Sequence, residues 1–546
     1  MNRNTELHFG HTPKIDLNRS KFDMSHSVKT SFNTGDIIPI FVDSDILPGD
    51  TVQVDLASLV RMATPIYPIM DNLYLDSYWF FVPHRLVFDQ WAEFWGENED
   101  PWARTTQIEL PMLEQPSGGW NTGTIADYMG IPIGVQGEDV NALPFRAYCK
   151  IWNDWFRDQN LKQACHIYKD DVTRAGKNSG DYVLNAEFGG LPLKAAKLHD
   201  FFTSALPSPQ KGPAVQIPML GEANVHTGAA RTTGTGIEPL KWAPATVGTL
   251  PSSASLWTTS GDTTALNETI GQGSKTDIKP TNLYADLASA SVATINQLRM
   301  AFAVQKYYEN AGLHGTRYIE YIRSVFGVSS SDARLQRSEY LGGKRIPINI
   351  DQVLQTSATD QTSPQGNTAG FSCTFDKHSA FTKSFEEHGT LMCLAVIRCE
   401  HTYQQGIHKQ FLRKTWEQFY NPFFANLGEQ MIENQQLYAQ TKGTKANTEA
   451  FGYQEAWAEY RYKENRTSGY MRSQATGSLD VWHLGDDYNT LPTLGTDWID
   501  EPYTNVDRVI AVSSQLNHQY IADFYFKMYY TRPMPVYSVP GLIDHV

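Results

Sequence analysis

Charge is scarce in this chain of 546 residues, at only 19% Asp, Glu, Lys and Arg. With 41% hydrophobic residues, that excludes disorder over most of the length and permits a large buried core. Cations are scarcer still: 45 Lys and Arg face 59 Asp and Glu, a formal net charge of −14. Such a molecule repels nucleic acid at long range, so any contact with DNA needs a local basic patch, cations or a basic partner. There are five cysteines, Cys149, Cys165, Cys373, Cys393 and Cys399. The odd count and irregular spacing exclude a disulfide framework and predict buried thiols in a reducing compartment. No apolar run approaches the roughly 18 residues of a membrane span. The opening MNRNTELHFGHTPK has no apolar segment of the kind a secretory signal carries, which predicts assembly in a cytoplasm.

Catalytic signatures are also missing. The sequence has no G-x-x-x-x-G-K-[ST] loop, no G-x-S-x-G elbow and no H-E-x-x-H helix. His8 and His11 lack further ligands nearby. Cys393, Cys399 and His401 have no zinc-like spacing and sit on or beside an apolar strand, so the cysteines read as buried small hydrophobes. The acidic pairs Asp170-Asp171, Glu386-Glu387 and Asp486-Asp487 read as solvated turns. A glycoside hydrolase needs its carboxyls across a cleft, which adjacency does not supply. No catalytic residue, cofactor or metal is assigned. Two rival classes stay open at this point: a carbohydrate-active β-rich enzyme with Trp-lined contacts, and a surface-layer or adhesion protein.

Strand patterns dominate what is present. Ile37, Ile38, Ile40, Phe41 and Val42 form a short strand closed by the turn Leu47-Pro48-Gly49-Asp50. Val52, Val54 and Leu56 alternate as a half-buried strand requires. The aromatic run 74–82 (YLDSYWFFV) stops at Pro83. The run 391–397 reads as a strand buried on both faces. In 521–530, Phe524, Phe526, Met528 and Tyr530 face one way, while Asp523, Tyr525, Lys527 and Tyr529 face the other. Strong strands thus sit near both ends of the chain, which a sandwich closed by its first and last strands explains. Two helices are predicted, over 148–163 and 291–311. In the second, Ile295, Leu298 and Phe302 form a core-facing stripe, Ser291 caps the start and Gly312 the end.

Loops complete the plan. Residues 1–35 are polar and form an extended arm; residues 36–546 form one domain. Residues 221–281 are rich in Gly, Thr, Ser, Ala and Pro, but Trp242 and Trp257 argue against plain disorder, so the stretch reads as a large surface excursion. Residues 356–370 form a second polar loop. Aromatic, charge-poor stretches such as 74–82 and 411–427 are expected to pack the core and contacts between copies. Two stretches could touch nucleic acid: the arm, through Arg3, Lys14, Arg19, Lys21 and Lys29, and the run Tyr460-Arg461-Tyr462-Lys463 with Arg466 and Arg472. The plain alternative for the second is a strand with an exposed basic side.

Long stretches resemble the major capsid proteins of gokushoviruses, within the Microviridae. They are HSVKTSFNTGDIIPIFVDSDILPGDT (26–51), ATPIYPIMDNLYLDSYWFFVPHRLV (63–87), HDFFTSALPSPQKG (199–212) and GTRYIEYIRSVFGVSSSDARLQRSEYLGG (315–343). TYQQGIHKQF (402–411), FGYQEAWAEYRYK (451–463) and the segments 507–512 and 520–545 extend the likeness to the end of the chain. The resemblance implies a mainly β fold, an eight-stranded antiparallel jelly roll of the viral capsid type with long inserted loops and few helices. It implies a structural protein whose sixty copies, through pentamers and threefold contacts, close a T=1 icosahedral capsid in the bacterial cytoplasm around a circular single-stranded DNA genome. The expected partners are a small basic DNA-packaging protein, a DNA pilot protein, a scaffolding protein during assembly and a host surface receptor. Residues 221–281 match, in position and composition, the insertion that forms threefold protrusions in this group, with Trp242 and Trp257 as its marked residues. The apolar tail, with Val536, Tyr537, Leu542 and Ile543, is expected to lie against a neighbouring subunit.

Overall fold

The computed structural model describes residues 18–97, 108–215, 295–357, 359 and 364–537, with the backbone of four short strands between 224 and 286. The chain divides into two compact units, one of residues 1–211 and 309–546, the other of residues 212–308.

Eight strands organise the larger unit. They are β1 (His26–Phe32), β2 (Ile38–Ile46), β3 (Thr51–Met62), β4 (Leu73–Pro83), β5 (Glu339–Pro347), β6 (Thr374–Ser384), β7 (Gly389–Cys399) and β8 (Tyr520–Arg532). One sheet has the order β1-β8-β3-β6 and the other β5-β4-β7-β2. All neighbours are antiparallel. The pairs β1·β8, β2·β7, β3·β6 and β4·β5 nest inside one another. The chain therefore runs as one long hairpin folded into two sheets, the winding expected of a jelly roll.

Alternation decides which side chains enter the sandwich. Along β3, Val52, Val54, Leu56, Val60 and Met62 are buried, and along β8, Phe524, Phe526, Met528 and Tyr530. They meet Leu75, Trp79, Leu391, Cys393, Ala395 and Ile397 of the opposite sheet. At the centre, Trp79 contacts the rings of Phe41, Phe381 and Phe526 at 5.4–5.8 Å. β7 is buried on both faces because a second core lies behind it. Phe80, Val82, Met392, Leu394 and Val396 pack there against helix α1 (Leu143–Ile151). Tyr148 of that helix donates from its hydroxyl to the Ile37 carbonyl at 2.7 Å, which ties the third layer to the sheet. Gly389 has no side chain for a steric reason: a Cβ there would sit 2.5 Å from the Phe81 ring.

The helices differ from expectation at their ends. α1 starts earlier than residue 148, because the Asn141 side chain accepts from the Leu143 amide and Pro144 suits a first turn. It continues as a wider turn over Trp152–Phe156 and stops at Arg157, short of 163. Beyond it, Asp158 accepts from the Asn160 and Leu161 amides and folds the chain into a turn. Helix α2 (Ile295–His314) runs through Gly312 and is followed by Gly315 at φ +86°, the left-handed position that ends helices. Ser291 lies outside the described residues. Ile295 and Phe302 are exposed and Leu298 is half-buried, so among the described residues the expected stripe does not face a core. Helical spacing identifies a shared face but not what covers it.

Ser20–Asp23 and β1 pair in succession along one edge of β8, with Ser20 opposite Arg532 and Phe32 opposite Tyr520. Residues 1–17 of the expected arm lie outside the described residues. The smaller unit contains two antiparallel strand pairs, Asn224–Thr227 with Leu283–Asp286 and Trp242–Pro244 with Ile278–Pro280. Among the described residues, no helix is long and apolar enough to cross a membrane.

Candidate assembly surface and buried polar centre

Between β7 and β8 the chain forms a ledge of three short 3-10 turns, Lys409–Phe411, Trp416–Gln418 and Pro422–Phe424. Local chemistry starts each one. The His408 ring accepts from the Gln410 amide, Gln418 folds back onto the Thr415 amide, and Asn421 accepts from the Phe423 amide. The ledge is anchored from below. Arg413 donates to Glu459 at 2.9 Å, both side chains being buried. The guanidinium also lies 4.5 Å from the Tyr460 ring centre. Buried Trp457 donates from its indole nitrogen to the Phe424 carbonyl at 2.8 Å. Trp457 has φ +65°, a costly conformation outside glycine that the surrounding contacts hold in place.

On this fixed base stand Phe411, Trp416, Phe419, Tyr420, Phe423 and Leu427, all exposed, with Phe423 at 93%. Single exposed apolar residues are ordinary, but six of them within seventeen residues of held backbone make this stretch a candidate interaction surface. Rigidity lowers the entropy lost when such a surface is covered.

A second feature lies behind the sandwich. On β4, Asp76 is buried and accepts a bidentate pair from Arg345 of β5 at 2.7 and 2.9 Å and a third bond from Arg398 of β7 at 2.5 Å. Burial pushes its carboxyl up, but the two guanidiniums outweigh that and hold it below the usual carboxylate range. These cations, with Tyr78, Phe80, Trp155 and Tyr340, line a cavity of about 1160 Å³. Lys197 and His401 line it too. His401 is completely buried between Asp486, 2.9 Å from Nδ1, and Glu501, 3.1 Å from Nε2. Burial alone would lower its pKa; the two carboxylates raise it to about 10. Lys197 Nζ lies 3.3 Å from Asp486, and Cys399 donates its thiol to Glu501 at 3.1 Å.

Cys393 and Cys399 are both buried, but Cys399 faces a carboxylate and is more than a small hydrophobe. Asp486 is not in a solvated turn: a buried histidine and lysine require it there. Glu387 pairs with Arg85 and Asp170 with Arg174. The run 460–463 is not a strand; Ala458–Arg461 is a helical turn, and Arg461, Tyr462 and Lys463 edge the cavity. Among the arm cations, Lys21 lies 4.0 Å from the Tyr529 ring centre, Lys29 pairs with Asp523 at 3.4 Å, and the Arg19 guanidinium lies beside Gly49. Val536 and Tyr537 are exposed. Arg3, Lys14, Trp257, Leu542, Ile543 and the side chain of Trp242 lie outside what is described. Sequence reasoning missed the Asp76 and Asp486 networks. The available signal was a charge set inside an apolar strand, Asp76 in 74–82 and Arg398 after 391–397, since a buried charge requires a partner.

Comparison with known proteins bears on what these surfaces serve. A family model described as Capsid protein (F protein) matches residues 11–542. Capsid protein VP1 of Spiroplasma virus 4 is 40% identical over 545 residues, covering 96% of this chain and 95% of that protein. Capsid protein VP1 of Bdellovibrio phage phiMH2K is 41% identical over 546 residues, covering 99% and 98%. Capsid protein VP1 of Chlamydia phage 1 is 36% identical over 591 residues, covering 98% and 97%. An antiparallel sandwich with a preformed apolar ledge suits a protein built to be covered by its own kind, and the chain belongs to the phage F capsid protein family, in its gokushovirus branch, as a structural protein of the virion and not an enzyme.

Proposed function

We propose that sixty copies close a T=1 shell around a circular single-stranded DNA, and that the ledge at 409–427 is a principal contact between them. The observation that carries this reading is the exposure of six large apolar side chains on a backbone already held by Arg413–Glu459 and Trp457. A subunit with unlike faces repeats its contacts until the rotation closes. Electron microscopy of the purified chain tests it: closed particles with the ledge buried between neighbours support the reading, and particles with the ledge facing solvent refute that contact.

The remaining assignments rest on the family likeness and on charge. At −14 per chain, the shell cannot gather a genome by general attraction. A small basic packaging protein and the cations Arg3, Lys14, Arg19, Lys21 and Lys29 supply it locally. A scaffolding protein guides assembly in the host cytoplasm and a pilot protein accompanies the DNA. Residues 221–281, with Trp242 and Trp257, form the threefold protrusion and meet the host receptor; a replaced loop with unaltered adsorption would remove that role. The tail, through Val536, Tyr537, Leu542 and Ile543, covers apolar surface on a neighbour. Normal particles after deletion of 536–546 would contradict it.

A further inference from the structure

We propose that Cys399, His401 and Glu501 form a binding site for one divalent transition-metal ion, with Zn²⁺ the best chemical fit. The three residues come from two parts of the chain. Cys399 closes β7 and His401 follows two residues on, while Glu501 lies just beyond the short helix Thr496–Ile499. The Glu501 amide donates to the Ala195 carbonyl at 2.9 Å, and the Asn465 side chain donates to the His401 carbonyl at 3.2 Å, so both backbones are fixed.

One thiol sulfur, one imidazole nitrogen and one carboxylate oxygen lie within 4.8 Å of one another, and all three residues are buried. Within the set, Glu501 Oε1 is 3.1 Å from Cys399 Sγ and Glu501 Oε2 is 3.1 Å from His401 Nε2. The two contacts use different carboxylate oxygens, and atoms bound to one tetrahedral ion at about 2.0–2.3 Å stand roughly 3.3–3.7 Å apart, so a turn of the Glu501 carboxylate would bring one oxygen to the ion beside the sulfur and the nitrogen. A mixed S, N, O set suits Zn²⁺ and poorly suits Mg²⁺ or Ca²⁺, which take oxygen ligands. Three protein ligands leave a fourth position to water.

The surrounding groups orient the set as metal sites require. Asp486 Oδ1 accepts from His401 Nδ1, which leaves Nε2 to face Glu501 and the thiol. Asp486 is itself held by Asn505 at 2.6 Å, Tyr488 at 2.6 Å and Lys197 at 3.3 Å. Ion uptake balances in charge. The Cys399 S–H and His401 Nε2–H bonds break and two protons leave to solvent, while metal–sulfur and metal–nitrogen bonds form. Two positive charges enter as two depart, so the buried network keeps its total.

A plain ion-pair network and a metal site differ in what they ask of Cys399. In the network the thiol supplies one weak hydrogen bond that serine reproduces; in a metal site it supplies the sulfur ligand. The experiment is X-ray absorption and metal analysis of purified full-length chain incubated with Zn²⁺ and desalted. The site gives one zinc per chain, with one sulfur at about 2.3 Å and nitrogen or oxygen neighbours at about 2.0–2.1 Å. With Co²⁺ in place of zinc, a sulfur-to-metal charge-transfer band appears in the near ultraviolet and is lost in Cys399→Ser. Zinc well below one per chain, or a coordination shell without sulfur, overturns the proposal on the wild-type chain alone, whether or not the variant folds.

Discussion

Replacing Phe423 with serine separates folding from assembly. The ring is 93% exposed in the single chain, so its loss removes almost no intramolecular packing. The Asn421 cap bonds the backbone amide of residue 423 and survives the change. The stability of the subunit should therefore move by less than about 0.5 kcal/mol. In a shell contact the same ring is covered, and full burial of a Phe side chain contributes about 1.5–3 kcal/mol. That is roughly a 10- to 150-fold weaker contact in the variant. The critical concentration for particle formation, measured by light scattering and sedimentation across a dilution series, should rise accordingly. The thermal midpoint of the unassembled chain should stay where it was. An unchanged critical concentration refutes the reasoning for this residue; a fallen midpoint shows that the ring supports the fold instead.

Three further changes probe the interior and the arm. Asp76→Asn deprives Arg345 and Arg398 of their shared anion. Because Arg345 is partly in water, the cost should be about 2–4 kcal/mol, near the lower part of the range for breaking a buried pair. Urea unfolding of the unassembled chain reads it, and a midpoint equal to wild type contradicts it. Glu187 is pushed up to about 7 by burial, against an ordinary value of 4.5. Its ionisation penalty is absent below the unfolded value, grows as pH rises through that window and is complete above about 7. Glu187→Gln should thus stabilise the chain by roughly 2–3 kcal/mol at pH 8 and by under about 1 at pH 5; a gain independent of pH, or larger at pH 5, contradicts this. Changing Arg3, Lys14, Arg19, Lys21 and Lys29 together to alanine should leave particles forming but lower their DNA content, measured from the 260 to 280 nm absorbance ratio. Full DNA content removes these five from the genome contacts.

The sandwich was legible because its signals are local. Val52, Val54 and Leu56 alternate, Pro83 closes an aromatic strand, and the fully apolar 391–397 reports burial on both faces. The pairing of the first strands with the last could be inferred from their positions, since a sandwich must close its edges. Helix ends were less legible. Gly312 looked like a stop, but the helix ends at Gly315, where the left-handed backbone falls. The buried centre was least legible. Asp486 follows Gly485 in what looks like a polar turn, and its burial is set by Lys197, His401 and Asn505, which lie far from it in sequence or carry no pattern. The same holds for Glu501, whose partners Cys399 and His401 are about a hundred residues away. Periodicity reports which face is apolar; it carries no information about which charges meet.

Electron cryomicroscopy of the purified, unmodified chain at assembly concentrations tests the central claim most directly. The account predicts closed isometric particles of one size, in which Trp416, Phe419 and Phe423 of each copy are buried against the next. Closed particles with those rings in solvent, or a chain that stays monomeric at high concentration even with its scaffolding protein present, would contradict it.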